Sequence, residues 1–291
     1  MVEIVEPRDY DEIKDVILET SRDEKKVKVV GTQSNELEAD SDVLLSLRKI
    51  TGILDLSEDD NYVKVKAGTP FHEVQEFLRR RGYMIPHSYW GSVGGLFSLN
   101  LPSVFSFWFG LPKDILLGAT ICTGLGEVVK SGGVTTKFSS GYKIWKALSG
   151  SMGKLGVFLD LTIKIIKTPE EMRFVKVKSD EAYPLMMSNK RPWGVACGNV
   201  SGEIECEALF AGFSRSVEQL SSGYEPGRIQ EIRSPFIKNT RLGDELRILN
   251  EEKALVFPGV GLGIVEKREE VRLTKSFLML KRALDPNFVL V

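Results

Sequence analysis

The sequence is poor in the residue types that hold metal ions and clusters. It contains two histidines and three cysteines among 291 residues. Cys122, Cys197 and Cys206 are far apart along the chain, so they do not form the closely spaced run that an iron–sulfur cluster or a zinc site requires. We expect all three to be small buried thiols of a protein in a reducing compartment.

Long apolar runs and an excess of one charge are also absent. No stretch reaches the roughly 18 uninterrupted apolar residues of a membrane-spanning helix, and residues 1–7 lack the basic and apolar regions of a signal peptide. The 39 basic and 40 acidic residues give a net charge of −1, without the basic excess of a nucleic-acid-binding surface. We therefore expect a cytoplasmic protein, or one held at the membrane periphery by a complex.

The composition is that of an ordinary globular protein, with 42% hydrophobic and 27% charged residues. At roughly 150 residues per domain, the length corresponds to about two domains. Periodicity and turn residues predict helices at 8–20, 70–82, 142–148 and 266–284, and strands at 26–30, 43–47, 63–67, 115–122, 127–131 and 157–165. Residues 86–112 are predicted to be a loop, and residues 170–265 a small second α/β unit.

Three turns of small residues that contain glycine follow or precede these elements, at 31–35, 91–95 and 150–157. Glycine lets a backbone approach a phosphate or a flat ring where a Cβ atom would collide. The three turns together predict the wall of one extended ligand site. They do not form a Rossmann fingerprint, because no Gly-x-Gly-x-x-Gly follows an early strand and opens a helix. The glycines at 259–263 predict a hairpin turn.

These motifs resemble the FAD-binding domain of the p-cresol methylhydroxylase and vanillyl-alcohol oxidase family. The resemblance rests on residues 30–35, 65–70, 82–86, 91–95 and 109–118. A further block is similar to the smaller FAD-binding subunit of glycolate oxidase: Ser131, Gly132, Gly133, Lys137, Gly141, Tyr142, Leu148, Gly150, Ser151, Gly153, Leu155, Gly156 and Val157. Residues 280–286 resemble the C-terminal tail of the same group.

The reductase that makes UDP-N-acetylmuramate shares part of this pattern, but the block at 131–157 and the tail favour the glycolate oxidase side. The resemblance covers about residues 5–168 and 266–290. It implies an α+β fold: a two-subdomain FAD-binding domain at 1–168, divided at about residue 57, with a small α/β cap or partner-contact domain at 169–265. A C-terminal helix and tail at 266–291 are expected to return to the FAD domain.

The resemblance also implies which residues hold a non-covalent FAD. The pyrophosphate would lie on Gly31, Thr32, Gln33, Ser34 and Asn35, and the ribityl chain along Val93, Gly94 and Gly95. The adenosine end would lie on Gly150, Ser151, Gly156 and Val157. Pro86, Ser92, Ser98 and Asp114 complete the predicted cofactor-binding set.

No catalytic residue and no metal ligand is predicted. His72 is expected on a helix surface, whereas His87 is either a polar loop residue or a neighbour of the flavin. Arg191, Arg228 and Arg241 are possible partners for a substrate carboxylate, but no spacing singles one out. The run at 105–109 is rich in aromatic residues and has three interpretations: a flavin pocket, a patch for a partner, or ordinary core.

The function implied by the resemblance is that of an FAD-binding subunit in a glycolate-oxidase-like complex that oxidises a 2-hydroxy acid. An iron–sulfur partner would receive the electrons, and a larger flavin subunit is a further possible partner. Two alternatives stay open. The chain could be a structural subunit that has lost FAD, or a stand-alone FAD reductase or oxidase.

Overall fold

The computed structural model describes residues 2–32, 41–133, 144–228, 231–267 and 273–291. Within these ranges, no helix combines the length and the apolar character needed to cross a membrane. The strands form three main sheets and one short ladder.

The first sheet is parallel and has three strands in the order β1-β3-β2, formed by β1 (Glu3–Val5), β2 (Val27–Val30) and β3 (Val43–Ser46). Helix α1 (Tyr10–Arg22) connects its first two strands. The side chain of Asp9 caps this helix by accepting the N–H of Glu12 at 2.8 Å, and Ile13 and Ile17 are fully buried. The predicted helix and both strands are confirmed within two residues at each end.

The second sheet is antiparallel, with the order β4-β5-β9-β7-β8. Its strands are β4 (Ile53–Ser57), β5 (Tyr62–Lys66), β7 (Leu116–Cys122), β8 (Val128–Gly132) and β9 (Val157–Lys164). Helix α2 (Phe71–Arg79) follows β5, and the short strands β6 (Tyr83–Met84) and β10 (Ile166–Lys167) pair with each other. Because β9 is central, even its Asp160 is buried. That carboxylate accepts hydrogen bonds from Tyr10 and Thr120 and pairs with Lys64.

The prediction of a loop over residues 86–112 was wrong. This segment contains α3 (Val93–Leu99) and α4 (Ser106–Phe109), and α5 (Pro112–Ile115) begins at its end. Helix α6 (Ile144–Leu148) comes later, near its predicted place. Helix α3 is buried over most of its surface, so its sequence shows no polar face and no amphipathic period from which it could be recognised.

The third sheet, called the cap sheet below, is antiparallel with the order β11-β13-β12-β15-β16-β14. Its strands are β11 (Glu171–Val177), β12 (Gly194–Gly198), β13 (Glu205–Gly212), β14 (Phe236–Asn239), β15 (Ala254–Phe257) and β16 (Leu262–Val265). Helices α7 (Ser179–Met187), α8 (Ser214–Ser221) and α9 (Ile248–Glu251) and a 3-10 turn (Glu245–Arg247) accompany it. The hairpin predicted at 259–263 is confirmed between β15 and β16.

Two of the three cysteines do not fit the prediction of free thiols. Cys197 and Cys206 lie opposite each other on β12 and β13, and their sulfur atoms form a disulfide. The hairpin register brings them together across a sequence separation of nine residues, and no local pattern of residues indicates that register. Cys122 is a buried free thiol as predicted, and burial raises its pKa to about 12.

The C-terminal helix α10 (Lys275–Leu284) and the tail after it return to the first sheet. The tail places Val289 O within 2.8 Å of the Val27 N–H, and Val27 O accepts the N–H of Val291. Phe277 and Leu284 pack on the main core. Leu273 and Leu280 are 51% and 40% exposed.

The aromatic run at 105–109 lies between the second sheet and the cap sheet. Phe105 and Phe109 both meet the ring of Trp193 edge-on, and Trp108 donates to the carbonyl of Pro192 at 2.9 Å. Of the three interpretations, core packing describes Phe105, which is buried, whereas Trp108 is 50% exposed. The expected α+β class is confirmed, with the C-terminal helix returned to the N-terminal part; the domain boundaries at 168 and 265 stay a proposal.

Gly194 is a contact point between these two parts. A Cβ atom there would lie 1.7 Å from the backbone oxygen of Val104. We expect Gly194→Ala to lower the free energy of unfolding by about 1–3 kcal/mol and to shift tryptophan emission, because Trp193 is the next residue. Gly223→Ala is the control: its φ is 85° with nothing within 4 Å, so it should cost stability without changing emission. Unchanged emission in Gly194→Ala would contradict this contact.

Candidate functional site

A narrow cleft opens where β2 ends, beside the start of α3 and the turn that leads into β9. It contains eight of the residues predicted to bind a cofactor: Gly31, Thr32, Ser92, Gly94, Gly95, Ser98, Gly156 and Val157. The cleft is narrow, with a volume of about 60 Å³. Its walls therefore suit a thin, elongated group better than a bulky ring.

Glycine is required where two walls of this cleft approach each other. A Cβ atom at Gly31 would lie 2.1 Å from Ser92 Oγ, and one at Gly95 would lie 2.9 Å from the hydroxyl oxygen of Tyr89. Ser92 cannot turn away freely, because its hydroxyl caps α3 by accepting the N–H of Gly95 at 3.2 Å. Glycine at these two positions thus leaves the cleft open, because a larger residue would collide with Ser92 or Tyr89.

The first backbone N–H groups of α3 already have partners within the protein. Val93 donates to Thr69 O and Gly94 donates to Ala67 O, while Gly95 donates to Ser92. The contribution of α3 to a ligand is therefore the close approach that its glycines allow, together with the hydroxyls of Ser92 and Ser98 at the cleft wall.

Gly150 and Ser151 line a second cavity rather than the cleft. This cavity, of about 440 Å³, also contains Asn100 and Lys113, and Leu99 and Met152 belong to both it and the cleft. The hydroxyl oxygen of Ser151 is buried without a hydrogen-bond partner, and such an oxygen normally finds one. Because they share Leu99 and Met152, the cleft and the second cavity adjoin. The Ser151 hydroxyl gives the second cavity a polar atom that is available for a ligand.

A third cavity, of about 310 Å³, adjoins the cleft on its other side. Tyr89 lines both, and the rings of Tyr89 and Trp90 lie 4.8 Å apart. Trp90 Nε1 is buried without a partner, and Arg233 lines the opposite wall. Sequence reasoning missed these residues, although Tyr89 and Trp90 directly precede the 91–95 turn.

The remaining predicted residues lie elsewhere. Pro86 and Val93 are buried outside the three cavities, and Val93 packs in the main core. Asp114 is exposed and accepts the N–H of Leu111 at the start of α5. Gln33, Ser34 and Asn35 lie outside the described residues, as do Lys137, Gly141 and Tyr142 of the sequence block. Their cofactor contacts stay predictions.

The two histidines lie in different surroundings, one exposed and one buried. His72 is exposed on α2 as predicted. His87 is buried, with Nδ1 2.8 Å from Ser88 O and Nε2 3.0 Å from Leu101 O. Burial lowers the pKa of His87 to about 4, so the ring is neutral near pH 7 and donates to one of these carbonyls. The His87 ring lines none of the three cavities, and its contacts link the loop segments that contain Ser88 and Leu101.

The cleft shares lining residues with two wider cavities, and each wider cavity contains a buried polar atom without a partner. Among the described residues, no group of three or more histidine, cysteine, aspartate or glutamate side chains could hold a metal ion. The cavities thus offer a ligand a narrow centre kept open by glycine and polar atoms on the walls of the wider spaces.

Comparison with known proteins agrees with this geometry. A family model described as an FAD binding domain matches residues 3–132. A D-lactate dehydrogenase of Anaerostipes hadrus is 29% identical over 45% of this chain and 28% of its own length. The glycolate oxidase subunit GlcE of Escherichia coli is 28% identical over 43% of this chain and 37% of its own length. The matched region is thus about a third of each curated relative.

Solved structures extend the similarity of fold over nearly the whole chain. A structure of alkyldihydroxyacetonephosphate synthase matches with a TM-score of 0.70 and 12% identity, over 98% of this chain and 75% of that one. A Phl p 4 variant, a glucose oxidase, matches with a TM-score of 0.62 and 15% identity, over 76% of this chain and 49% of that one. At such identities the likeness is one of fold alone, and it includes the cap sheet in the first case.

Proposed function

Since a family model described as an FAD binding domain matches residues 3–132, we propose that this chain holds FAD without a covalent bond and serves as the FAD-binding subunit of a 2-hydroxy acid oxidoreductase. Bound FAD supplies the capacity to accept two electrons, and the protein binds, orients and shields it. The observation that carries the proposal is the set of three joined cavities centred on Gly31 and Ser92.

Each part of FAD has a counterpart among these cavities. The pyrophosphate would lie in the cleft between Gly31 and Ser92, where only a thin group fits. The adenosine end would lie beside Gly150 and Ser151, whose hydroxyl lacks a partner. The flavin ring would lie beside Tyr89 and Trp90, and the indole N–H of Trp90 would donate to a ring carbonyl.

The substrate class and the assembly follow from the names of the relatives. A D-lactate dehydrogenase, a D-2-hydroxyglutarate dehydrogenase and a glycolate oxidase subunit are among them, and lactate, 2-hydroxyglutarate and glycolate are 2-hydroxy acids. Two of the relatives are named as subunits. We therefore propose that this chain works within a complex, with an iron–sulfur subunit as electron acceptor and a larger flavin subunit as a further partner.

An absorbance spectrum of the purified chain tests this proposal first. FAD is added, the excess is removed by gel filtration, and flavin bands are expected to remain with the protein. A chain that never retains FAD, even with its partner subunits present, would leave the alternative of a structural subunit. Steady turnover of glycolate by the isolated chain with an artificial electron acceptor would instead indicate a stand-alone enzyme.

A further inference from the structure

A fourth cavity, outside the three assigned to FAD, lies on the cap sheet. We call it the Glu207 cavity; it encloses about 770 Å³ and contains Lys176, Ser201, Glu205, Glu207, Arg228 and Glu231. Alternate residues of a strand share a face, so Glu207 and Leu209 point the same way from β13. Leu209 packs in one cluster with Leu101 and Val104, which places the Glu207 cavity on the face turned toward the FAD-binding part.

Glu207 is unusual for a residue in the middle of a sheet. It is 3% exposed, and its Oε2 atom has no hydrogen-bond partner. Burial, followed by the negative charge of Glu205, raises the pKa of Glu207 to about 7, against the opposing effect of Lys176 and Arg228. A buried carboxyl oxygen left unpaired has lost its hydrogen bonds to water without replacement, so its position at a cavity wall calls for a ligand that pairs with it.

The backbone brings Arg228 to the cavity that Glu207 lines. Residues 225–227 run along the edge strand β11, where Glu225 O accepts the N–H of Lys176 and Gly227 donates to Phe174 O. A Cβ atom at Gly227 would lie 2.9 Å from Glu207 Cγ, so this segment is packed directly on the Glu207 side chain. Arg228 follows at once and reaches the same cavity.

The Glu207 cavity neighbours the proposed flavin end, because Glu231 lines both the Glu207 cavity and the cavity that contains Trp90. A ligand held by Glu207 and Arg228 would therefore lie beside the cavity assigned to the flavin ring.

We propose that the Glu207 cavity binds the small 2-hydroxy carboxylate itself, with Arg228 and Lys176 on its carboxylate and Glu207 on its 2-hydroxyl group. The choice of a hydroxy acid as the ligand rests on the proposed function. The combination of two cationic side chains with one buried carboxyl group rests on the geometry of the cavity. A guanidinium and an ammonium are the usual partners of a carboxylate, and a carboxyl group pairs with a hydroxyl in either protonation state.

The arrangement has a definite pH dependence. The charged groups facing Glu207 are Lys176 from β11, Glu205 from its own strand, and Arg228 and Glu231 from the covering segment. When Glu207 loses its proton, its charge repels the carboxylate of the ligand. Affinity should therefore fall as the pH rises through the pKa of Glu207, which is about 7.

The experiment titrates glycolate into the full chain with FAD added, followed by calorimetry or by NMR. Acetate, which lacks the hydroxyl, is the matched ligand and should bind more weakly. Arg228→Met should weaken glycolate binding by about tenfold or more. Glu207→Gln should make binding independent of pH, while the exposed neighbours Glu203→Gln and Arg215→Met should behave like the unaltered chain.

Three results would overturn the proposal. The first is equal binding of glycolate and acetate, and the second is no effect of Arg228→Met on glycolate binding. The third is that ethylammonium binds with an affinity that rises with pH, whereas glycolate does not bind. FAD retention is measured on the same samples. A chain that retains FAD but binds no glycolate sinks only this proposal. A chain that binds glycolate as described but retains no FAD sinks the proposed function and leaves the Glu207 cavity standing.

Discussion

Asp285→Ala is expected to lower the free energy of unfolding by about 3–5 kcal/mol, the usual effect of removing one partner of a buried ion pair. Asp285 is fully buried and Lys281 is 5% exposed. The ammonium of Lys281 lies 2.5 Å from the carboxylate and also donates to the carbonyls of Lys154 and Leu290. Asp285 in turn accepts the N–H groups of Val289 and Leu290, so its loss leaves several buried polar groups unpaired.

Chemical denaturation measures this effect. Glu266→Ala is the matched control, since Glu266 pairs with Lys253 at the surface with both side chains nearly half exposed, and its loss should cost less than about 1 kcal/mol. Lys281→Met and the double variant complete a cycle, in which the double variant should cost less than the sum of the single ones. An Asp285→Ala chain as stable as Glu266→Ala would refute the role of this pair in holding the tail.

Gly31→Asp is expected to weaken FAD binding by about a thousandfold. A carboxylate about 4 Å from a phosphate charge costs about 4 kcal/mol near a protein surface. The new side chain would also meet Ser92 Oγ, which lies 2.1 Å from the position of a Cβ atom. Fluorescence titration of FAD into the purified variant measures the loss.

Gly31→Asn separates charge from bulk in this test, because it has the same shape without the charge. We expect it to weaken FAD binding by only about tenfold, as Ser92 must give up its helix cap, worth about 1 kcal/mol. The difference between the two variants should shrink at high salt. Equal affinities of both variants would mean that no phosphate lies beside Gly31.

Features that depend on neighbours along the chain were predictable from the sequence alone. Helix α1 was predictable from Asp9 and Glu12 and from the spacing of Ile13 and Ile17, and the hairpin after β15 from its glycines. The turns at 31–35 and 91–95 predicted only an extended ligand site, because glycine allows close approach to a ligand; FAD was indicated by the resemblance of these motifs to a known family.

Features that depend on which distant residues become neighbours could be known only from the tertiary structure. The disulfide of Cys197 with Cys206 required the register of β12 and β13, and helix α3 was not recognised because it is buried and has no polar face. The unpaired Trp90 and Glu207 are ordinary residues in the sequence. Whether a polar atom is left without a partner depends on how segments far apart along the chain pack and pair, and no local pattern contains that information.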